Sequence, residues 1–584
     1  MQQSCRLRSL KLKFIEQILR NKHMVLQSKI GLLFCLSFLL TGILSFEMTA
    51  QTTTIELEDD IHLMDRFEIK SGRLAKEYQR SVRKLNAKNA IAFIEDYSSD
   101  EKTVFSSLDR QLSYHLFRNY NEFSETGISN SKRNLFQLFY LLKTDFYRVQ
   151  ESNFLLRVNP VIHFSMAKEQ DNEGLLFQNT RGAQIKGIIG NKISFQSYLS
   201  DNQARFSKVL RDLTLEQRAI PGAGRYGVYR ETGFDYFSAR GFIDFQLIPE
   251  IGLRFGHDKT FIGSGYRSLI LSDYAGESLF LQLTTRVWKF EYTNLFKELV
   301  VQFPTIADNL LERKYLALHR LGIRLGKKWE VGIFESVVSG GESRGFDLQY
   351  LNPVIFYRAV EHGIGSPDNV MIGADFRAIL ASKFSIYGQF VLDEFSFEGL
   401  KANNGDWRNK FGFQLGGLMI DLAGIENLDL RLEYNQVRPY TYSHYSEYAN
   451  YSHYNQSLAH PLGANFREAV AILKYRPKYK WLITLNNTYS EYGTDADGLN
   501  WGGDILLDYN TFVQATGNSI GQGVKSTVLQ NQLYVSYMLR HELWIDFMLH
   551  NYQRNSDDAA LDHSSITVGV GVRLNANKLD RLFK

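Results

Sequence analysis

The sequence predicts a mainly β protein: an antiparallel transmembrane β-barrel of about 18 strands with a small N-terminal helical element in the periplasm. Three observations carry this prediction. An uninterrupted apolar run lies near the N-terminus, apolar and polar residues alternate along much of the chain after residue 150, and short and long connections alternate between the predicted strands. Together they are typical of an exported barrel.

The apolar run at residues 30–46 predicts a secretory signal peptide that covers residues 1–50. It follows Lys29, and the MTAQ that comes after it indicates cleavage behind Ala50. A basic stretch, an apolar stretch and a small residue at the cleavage site are the parts of such a signal. The basic stretch is long when counted from Met1, and Met24 offers a conventional start.

Removal of this leader changes the charge and the cysteine content of the chain. Both cysteines, Cys5 and Cys35, lie in it, so we expect neither a disulfide nor a cysteine nucleophile in the mature protein. The leader holds seven of the 67 basic and two of the 63 acidic residues, which leaves 60 and 61. The net charge of +4 thus becomes about −1, and we expect no nucleic-acid partner.

Residues 51–150 predict a periplasmic helical element of two to four helices. All nine prolines lie at or beyond Pro160, and only two of the 44 glycines fall in this region. Ser98 with Glu101 fits a capping box that opens the second helix. Both a packing role and a specific binding role fit this element. Apolar residues recur at helical spacing in two sets, which are Leu74, Tyr78, Val82 and Leu85, and Val104, Leu108, Leu112 and Leu116.

Residues 151–584 predict the barrel, because apolar residues alternate with polar or glycine residues in stretches such as 428–435 and 566–574. We expect Asp429, Arg431 and Glu433 to form ion pairs in the lumen. An even number of strands returns the chain to the side of the membrane where it began, so the N-terminal helices and the C-terminus are both expected in the periplasm. A secreted β-sandwich or solenoid would also show alternating apolar and polar residues, but it would not require short turns and long loops to alternate along the chain. Short turns at 248, 326, 382 and 540 alternate with long loops at 201–236, 258–276, 341–368, 438–467 and 491–529.

The long loop at 438–467 is the candidate ligand-binding segment, because it combines tyrosines and histidines with few aliphatic residues. A tyrosine offers an apolar ring face and a hydroxyl, which suits a saccharide. From the sequence alone, however, an aromatic girdle at the membrane interface with self-packing loop residues is the favoured interpretation. A metal site formed by the loop histidines has only weak support from their spacing, and we predict no metal and no cofactor. The candidate glycan-binding residues are Arg438, Tyr440, Tyr442, His444, Tyr445, Tyr448, Tyr451, His453, Tyr454 and His460.

Catalytic chemistry receives little support from the sequence. His257 stands beside Asp258, and a Ser/His hydrolase could be drawn with many serines, but no spacing selects one of them. The G-x-G at 263–265 lacks the strand, turn and helix context of a phosphate-binding loop. We therefore predict that the protein is not an enzyme.

Several long sequence blocks carry a resemblance to a known family. They are RGAQIKG, GHDKTFIGSGYRSLILSD, YLNPVIFYRAVE, GSPDN, LDEF, NLDLRLEYNQVRPYTYSH and NQSLAHPLGANF. Together these blocks resemble the Wzi-type capsule-assembly proteins of the outer membrane, and they are most similar to the gliding-motility RemB-like branch. The resemblance implies an 18-stranded barrel with a periplasmic helical bundle near its base and a non-enzymatic, lectin-like role in organising capsular or exopolysaccharide at the cell surface.

Three functions remain open at this point. The leading one is a surface barrel that binds polysaccharide, with a link to surface attachment or gliding motility. A porin-like channel for small solutes would need an open lumen, and an adhesin or motility accessory would bind an unknown protein partner. In each case the expected location is the outer membrane of a Gram-negative bacterium, and the expected partners include outer-membrane lipid and the barrel-insertion machinery during biogenesis.

Overall fold

The structure is a computed structural model that describes most of the chain between residues 54 and 578. The predicted signal peptide and the alternative start at Met24 lie outside the described residues. The gaps in the description are residues 77–78, 84, 100–104, 125, 127, 129, 132–138, 171, 191–192, 302–310, 343, 353–355 and 365–367.

Eighteen antiparallel strands close into a barrel, as the alternating pattern predicts. Each strand pairs with its neighbours in the chain, and β1 pairs with β18 through Ile162–Leu574 to Glu169–Thr567, which completes the ring. The strands are Phe154–Glu169 (β1), Leu176–Ile189 (β2), Ile193–Arg205 (β3), Gly233–Ile248 (β4), Ile251–Asp258 (β5), Ser278–Val287 (β6), Phe290–Val300 (β7), Arg313–Leu325 (β8), Trp329–Gly340 (β9), Asn369–Ala381 (β10), Phe384–Glu394 (β11), Lys410–Met419 (β12), Leu428–Val437 (β13), Phe466–Tyr475 (β14), Trp481–Thr494 (β15), Val524–Arg540 (β16), Leu543–Ser556 (β17) and His563–Leu574 (β18).

Smaller elements decorate this barrel. Short strands at Tyr147–Glu151 and Gly227–Tyr229 extend the sheet beside β1 and β4, and Ser452–His453 pairs with Gln456–Ser457 inside a loop. None of the described helices is long and apolar enough to cross a membrane. The α-helices are Glu58–Ser71 (α1), Ala87–Ser99 (α2), Ser107–Asn119 (α3), Lys208–Gln217 (α4), Tyr357–Ile364 (α5) and Phe397–Ala402 (α6).

Side chains that point away from the lumen form an exposed apolar belt. On β13, Leu432 is 53% exposed whereas the next residue, Glu433, is 4% exposed and points inward. On β18, Val570 is 60% exposed and Thr567 only 1%. Exposed Trp288 lies at a short turn, as expected for the aromatic girdle of a membrane barrel. Lipid is the environment that suits such a belt.

Two long loops fold into the barrel and fill its outer half. Residues 259–277 and 438–465, which we call the plug, pack against inward apolar side chains of the strands and form one buried cluster with them. The backbone N–H of Ser272 donates to the carbonyl oxygen of Leu458 at 2.7 Å. Because the two loops share hydrogen bonds and an apolar core, they form a single packed body inside the barrel.

Charged side chains occupy the lumen on the short-turn side of the plug. Asp65 of α1 accepts hydrogen bonds from Arg80 at 2.9 Å and from Arg431 of β13 at 3.1 Å. Arg66 contacts Asp429, also on β13. Asp429 and Arg431 therefore form lumen ion pairs as predicted, and their partners come from the N-terminal helix. A cavity of about 210 Å³ lies elsewhere in the lumen, between the plug residues Lys259 and Tyr274 and the wall formed by β1 to β4, with Glu56 at its side.

Among the described residues, three α-helices precede the barrel, but their positions differ in part from the sequence prediction. Residues 74–85 are not helical where they are described, because the backbone of Ser81 and Arg83 pairs with Phe261 and Gly263 of the plug. We predicted a capping box from Ser98 and Glu101, but Ser98 lies in the last turn of α2 and Glu101 lies outside the described residues. A different capping box opens α3, where Ser106 and Asp109 bond each other reciprocally. Tertiary pairing thus overrides the helical spacing of the first segment.

Candidate functional site

Most of the candidate glycan-binding residues make internal contacts that stabilise the plug. Tyr440, Tyr442 and Tyr451 are at most 2% exposed, and their hydroxyls donate to backbone carbonyl oxygens inside the protein. The Tyr442 and Tyr451 hydroxyls reach Leu269 and Ile270 at 2.7 and 2.6 Å. A buried phenol needs such a partner, so these rings serve packing in this structure.

The three loop histidines are likewise held apart by separate internal partners. His453 accepts the backbone N–H of Val300 at 2.9 Å, and its other ring nitrogen lies 3.1 Å from the carbonyl oxygen of Glu277. His460 bonds Glu468 at 2.8 Å. His444 lies at the outer mouth. Among the described residues, the one His and carboxylate group with metal-ligand spacing contains none of these three histidines.

The remaining candidates lie nearer the surface and have different surroundings. Arg438 donates to the carbonyl oxygen of Asn409 at 2.7 Å and braces the neighbouring loop. Tyr448 bonds Glu312 at the rim. Tyr454 is half-buried, and its ring packs on Gly224 and Gly276. Tyr445, by contrast, is 44% exposed.

Tyr445 belongs to an aromatic group that three loops assemble at the outer mouth of the barrel. We call it the mouth cluster, and it consists of Trp407, His444, Tyr445, Tyr509 and Phe512. The Tyr445 ring centroid lies 4.3 Å from that of His444 and 5.9 Å from that of Tyr509, while Trp407 stacks on Phe512 at 4.6 Å. Tyr445 is the exposed member of the cluster; Trp407, Tyr509 and Phe512 are partly buried, and His444 is buried beside them.

A buried lysine sits beneath the mouth cluster. The Lys410 ammonium lies 3.6 Å from the centroid of the Tyr509 ring and 2.7 Å from a carboxylate oxygen of Glu394. Burial, together with nearby Lys410, lowers the pKa of His444 to about 4. His444 is therefore neutral near pH 7, and its Nδ1 accepts the N–H of Ser446 at 3.1 Å. The proton then belongs on Nε2, which leaves this nitrogen as a donor.

The mouth cluster opens onto a groove of about 1440 Å³. Tyr445, Tyr509 and Lys410 line the end near the mouth, and the groove continues along the outside of the barrel wall. We call it the outer groove. Its remaining lining residues are Tyr292, His319, Leu321, Ile333, Phe334, Glu335, Phe356, Arg358, Asp368, Asn369, Val370, Ile372, Gly373, Ala374, Phe390, Leu392, Asp393, Glu394, Phe395 and His444.

Sequence reasoning missed Trp407, Lys410, Tyr509 and Phe512. Trp407, Tyr509 and Phe512 lie on loops other than 438–467, and Lys410 begins a strand. Their signal in the sequence is weak, because one or two aromatic residues in a long loop are common. Only the folding of three loops around one rim brings them beside Tyr445.

Comparisons with known proteins agree with this architecture. The family model described as Capsule assembly protein Wzi matches residues 235–575 of the chain. A structure described as Wzi, an outer membrane protein involved in group 1 capsule assembly in Escherichia coli and a carbohydrate binding beta-barrel, is similar with a TM-score of 0.54 and 14% identity, covering 90% of this chain and 100% of the other. At this identity the likeness shows the fold alone. No curated protein sequence matches the chain.

Outer-membrane proteins of Pseudomonas aeruginosa are more distantly similar. OprD has a TM-score of 0.38 and 11% identity over 72% of this chain and 95% of its own. OpdK has a TM-score of 0.40 and 8% identity over 72% and 98%. These values are too low to carry an argument. The match to more than half of the sequence decides the family: the chain belongs to the Wzi capsule assembly protein family.

Proposed function

We propose that the protein spans the outer membrane and binds capsular or exopolysaccharide at the mouth cluster without catalysing a reaction. The observation that carries the proposal is the half-exposed Tyr445 beside His444 and Tyr509 at the outer mouth. Ring faces stack on the C–H faces of sugars, and the tyrosine hydroxyls and the His444 Nε2–H bond their hydroxyl groups. The family and the carbohydrate-binding barrel from Escherichia coli support it.

Tethering is the mechanism that this surface supports. A polysaccharide repeats the same chemical unit, so weak contacts at many protein copies add up along one chain. The barrel belt anchors each copy in lipid, and the plug fixes the loop that carries Tyr445. The resemblance to the RemB-like branch extends the proposal to a link with surface attachment or gliding motility. Residues 1–50 as signal peptide and 51–150 as a periplasmic element belong to the same proposal.

The filled lumen favours a binding barrel over a porin-like channel. The plug closes the outer half of the barrel, and α1 with its ion pairs occupies the inner half. A solute path would need the displacement of at least one of these layers. Wild-type protein is therefore expected to be silent in planar bilayers.

Glycan binding by single variants tests the proposal. We expect purified wild-type protein to bind surface polysaccharide from its own cells, and Tyr445→Ala or Tyr509→Ala to weaken binding by about tenfold, as for loss of a central aromatic contact. Tyr489→Ala is the matched control, because Tyr489 is 49% exposed on β15, away from the groove. Equal binding by all three folded variants would refute the mouth cluster as the site.

A further inference from the structure

The outer groove has two chemically different halves. Near the mouth it carries the tyrosines of the mouth cluster. Along the wall it is lined by Leu321, Ile333, Ile372 and Phe390, which are 36 to 58% exposed. Leu321 pairs with Ile333 across β8 and β9, and their neighbours Arg320 and Phe334 point into the lumen. The apolar half therefore belongs to the surface that faces lipid.

A folded loop forms the overhang on this half of the groove. The described parts of the 341–368 loop pack on the outside of the barrel through Tyr350 and Tyr357, and α5 rests on the wall beside Ala317 and Val337. The carboxylate of Glu335 accepts the first N–H groups of α5, from Tyr357 at 2.8 Å and Arg358 at 2.9 Å.

A second contact fixes the same helix, and it explains why the charged residue Glu335 lies on the outward face of the barrel. His319 points outward on β8, bonds Glu335 at 3.1 Å and stacks on the Tyr357 ring at 4.3 Å. A buried His and carboxylate pair on an outward barrel face is costly unless it has partners. Here the pair docks α5, and Phe356, 73% exposed, stands at the groove edge.

An occupant that matches both halves must carry hydrocarbon and sugar in one molecule. A free saccharide would leave Ile333 and Phe390 against lipid chains, and a simple phospholipid would offer the tyrosines no sugar ring. We propose that the outer groove binds a glycolipid of the outer leaflet, with its acyl chains on the apolar wall and its saccharide on Tyr445 and Tyr509. This inference rests on the proposed function and names the ligand as an acylated saccharide.

Photocrosslinking of the intact protein tests this assignment. The probe is lipopolysaccharide from the protein's own cells with a diazirine on an acyl chain, presented in phosphatidylcholine nanodiscs that contain the protein. We expect labelled peptides from β9 and β10, and severalfold less label on β18, where Val570 is 60% exposed to the same bilayer. Equal labelling of β9 and β18 means contact with bulk lipid and overturns the inference.

Two further arms separate this inference from the proposed function. Tyr445→Ala should lower the labelling of β9 and β10, since one molecule occupies both halves, whereas Tyr489→Ala should not. Unchanged labelling in Tyr445→Ala would overturn the inference. The deacylated saccharide is measured separately for binding. If it binds the wild type while the labelling shows no preference for the groove, the proposed function stands and the glycolipid assignment fails; if neither is seen, both fail.

Discussion

Replacement of Glu468 by glutamine should open the plugged barrel. Glu468 lies on β14, is 2% exposed and joins both plug loops to the wall. It accepts two hydrogen bonds from Arg267 at 3.0 and 3.1 Å and one from His460 at 2.8 Å. Glutamine keeps the size of the side chain but removes its charge, so the buried guanidinium loses its counter-charge.

The expected magnitude follows from the burial of this pair. Removal of one partner from a buried ion pair costs about 3–5 kcal/mol. At about 1.4 kcal/mol per factor of ten, the lower figure shifts the plug toward its displaced state by about a hundredfold. The assay is single-channel conductance in planar bilayers, where Glu468→Gln should show openings that are rare or absent in the wild type.

A neighbouring carboxylate provides the control for this experiment. Glu491 on β15 pairs with Arg467 and Lys525, which are 48% and 44% exposed. Such surface pairs contribute about 0–1 kcal/mol, so Glu491→Gln should remain silent. If Glu468→Gln is as silent as Glu491→Gln while both keep the heat-resistant mobility of a folded barrel, the plug is not held by this pair and the reasoning is wrong.

Three other outcomes follow from buried groups. Tyr451→Phe should lower the free energy of unfolding in urea by about 1 kcal/mol, since it leaves the Ile270 carbonyl oxygen unpaired, whereas Tyr445→Phe should not; equal values would contradict the packing role. Burial lowers the pKa of His453 from 6.5 to about 3, so the unfolded chain binds more protons between these values and stability, complete above pH 6.5, should fall as the pH is lowered. His453→Gln should flatten this slope by up to about 1.4 kcal/mol per pH unit, and identical slopes would argue against it. Glu335→Gln should weaken α5 docking and speed tryptic cleavage in residues 341–368, and unchanged cleavage would show that Glu335 does not hold the helix.

The barrel itself could be predicted from the sequence. Alternation with a period of two, as in 428–435, reports directly which side chains meet lipid and which meet the lumen. Short turns are equally local features, so their positions at 326, 382 and 540 could be predicted. The extra length of β1 and β16, which end at Glu169 and begin at Val524, was not predictable, because it depends on pairing with neighbouring strands.

The direction of the 438–467 loop was not available from the sequence. The same tyrosine chemistry suits a sugar outside the barrel and a backbone carbonyl inside it. The choice depends on Leu269 and Ile270, which lie far from Tyr442 and Tyr451 in the chain and meet them only after both loops fold inward. The sequence blocks that carry the family resemblance were more informative about where the plug lies in the chain, because the blocks at 256–273, 427–444 and 455–466 each include plug residues.

The pairing of Ser81 and Arg83 with the plug constrains the order in which the protein can be assembled. This N-terminal segment is inside a ring whose strands all follow it in the chain, and the seam between β1 and β18 joins residues some four hundred positions apart. Contacts of that separation form slowly. The seam is therefore expected to close late. An assembly intermediate arrested before closure should leave the N-terminal segment accessible while most hairpins are already formed.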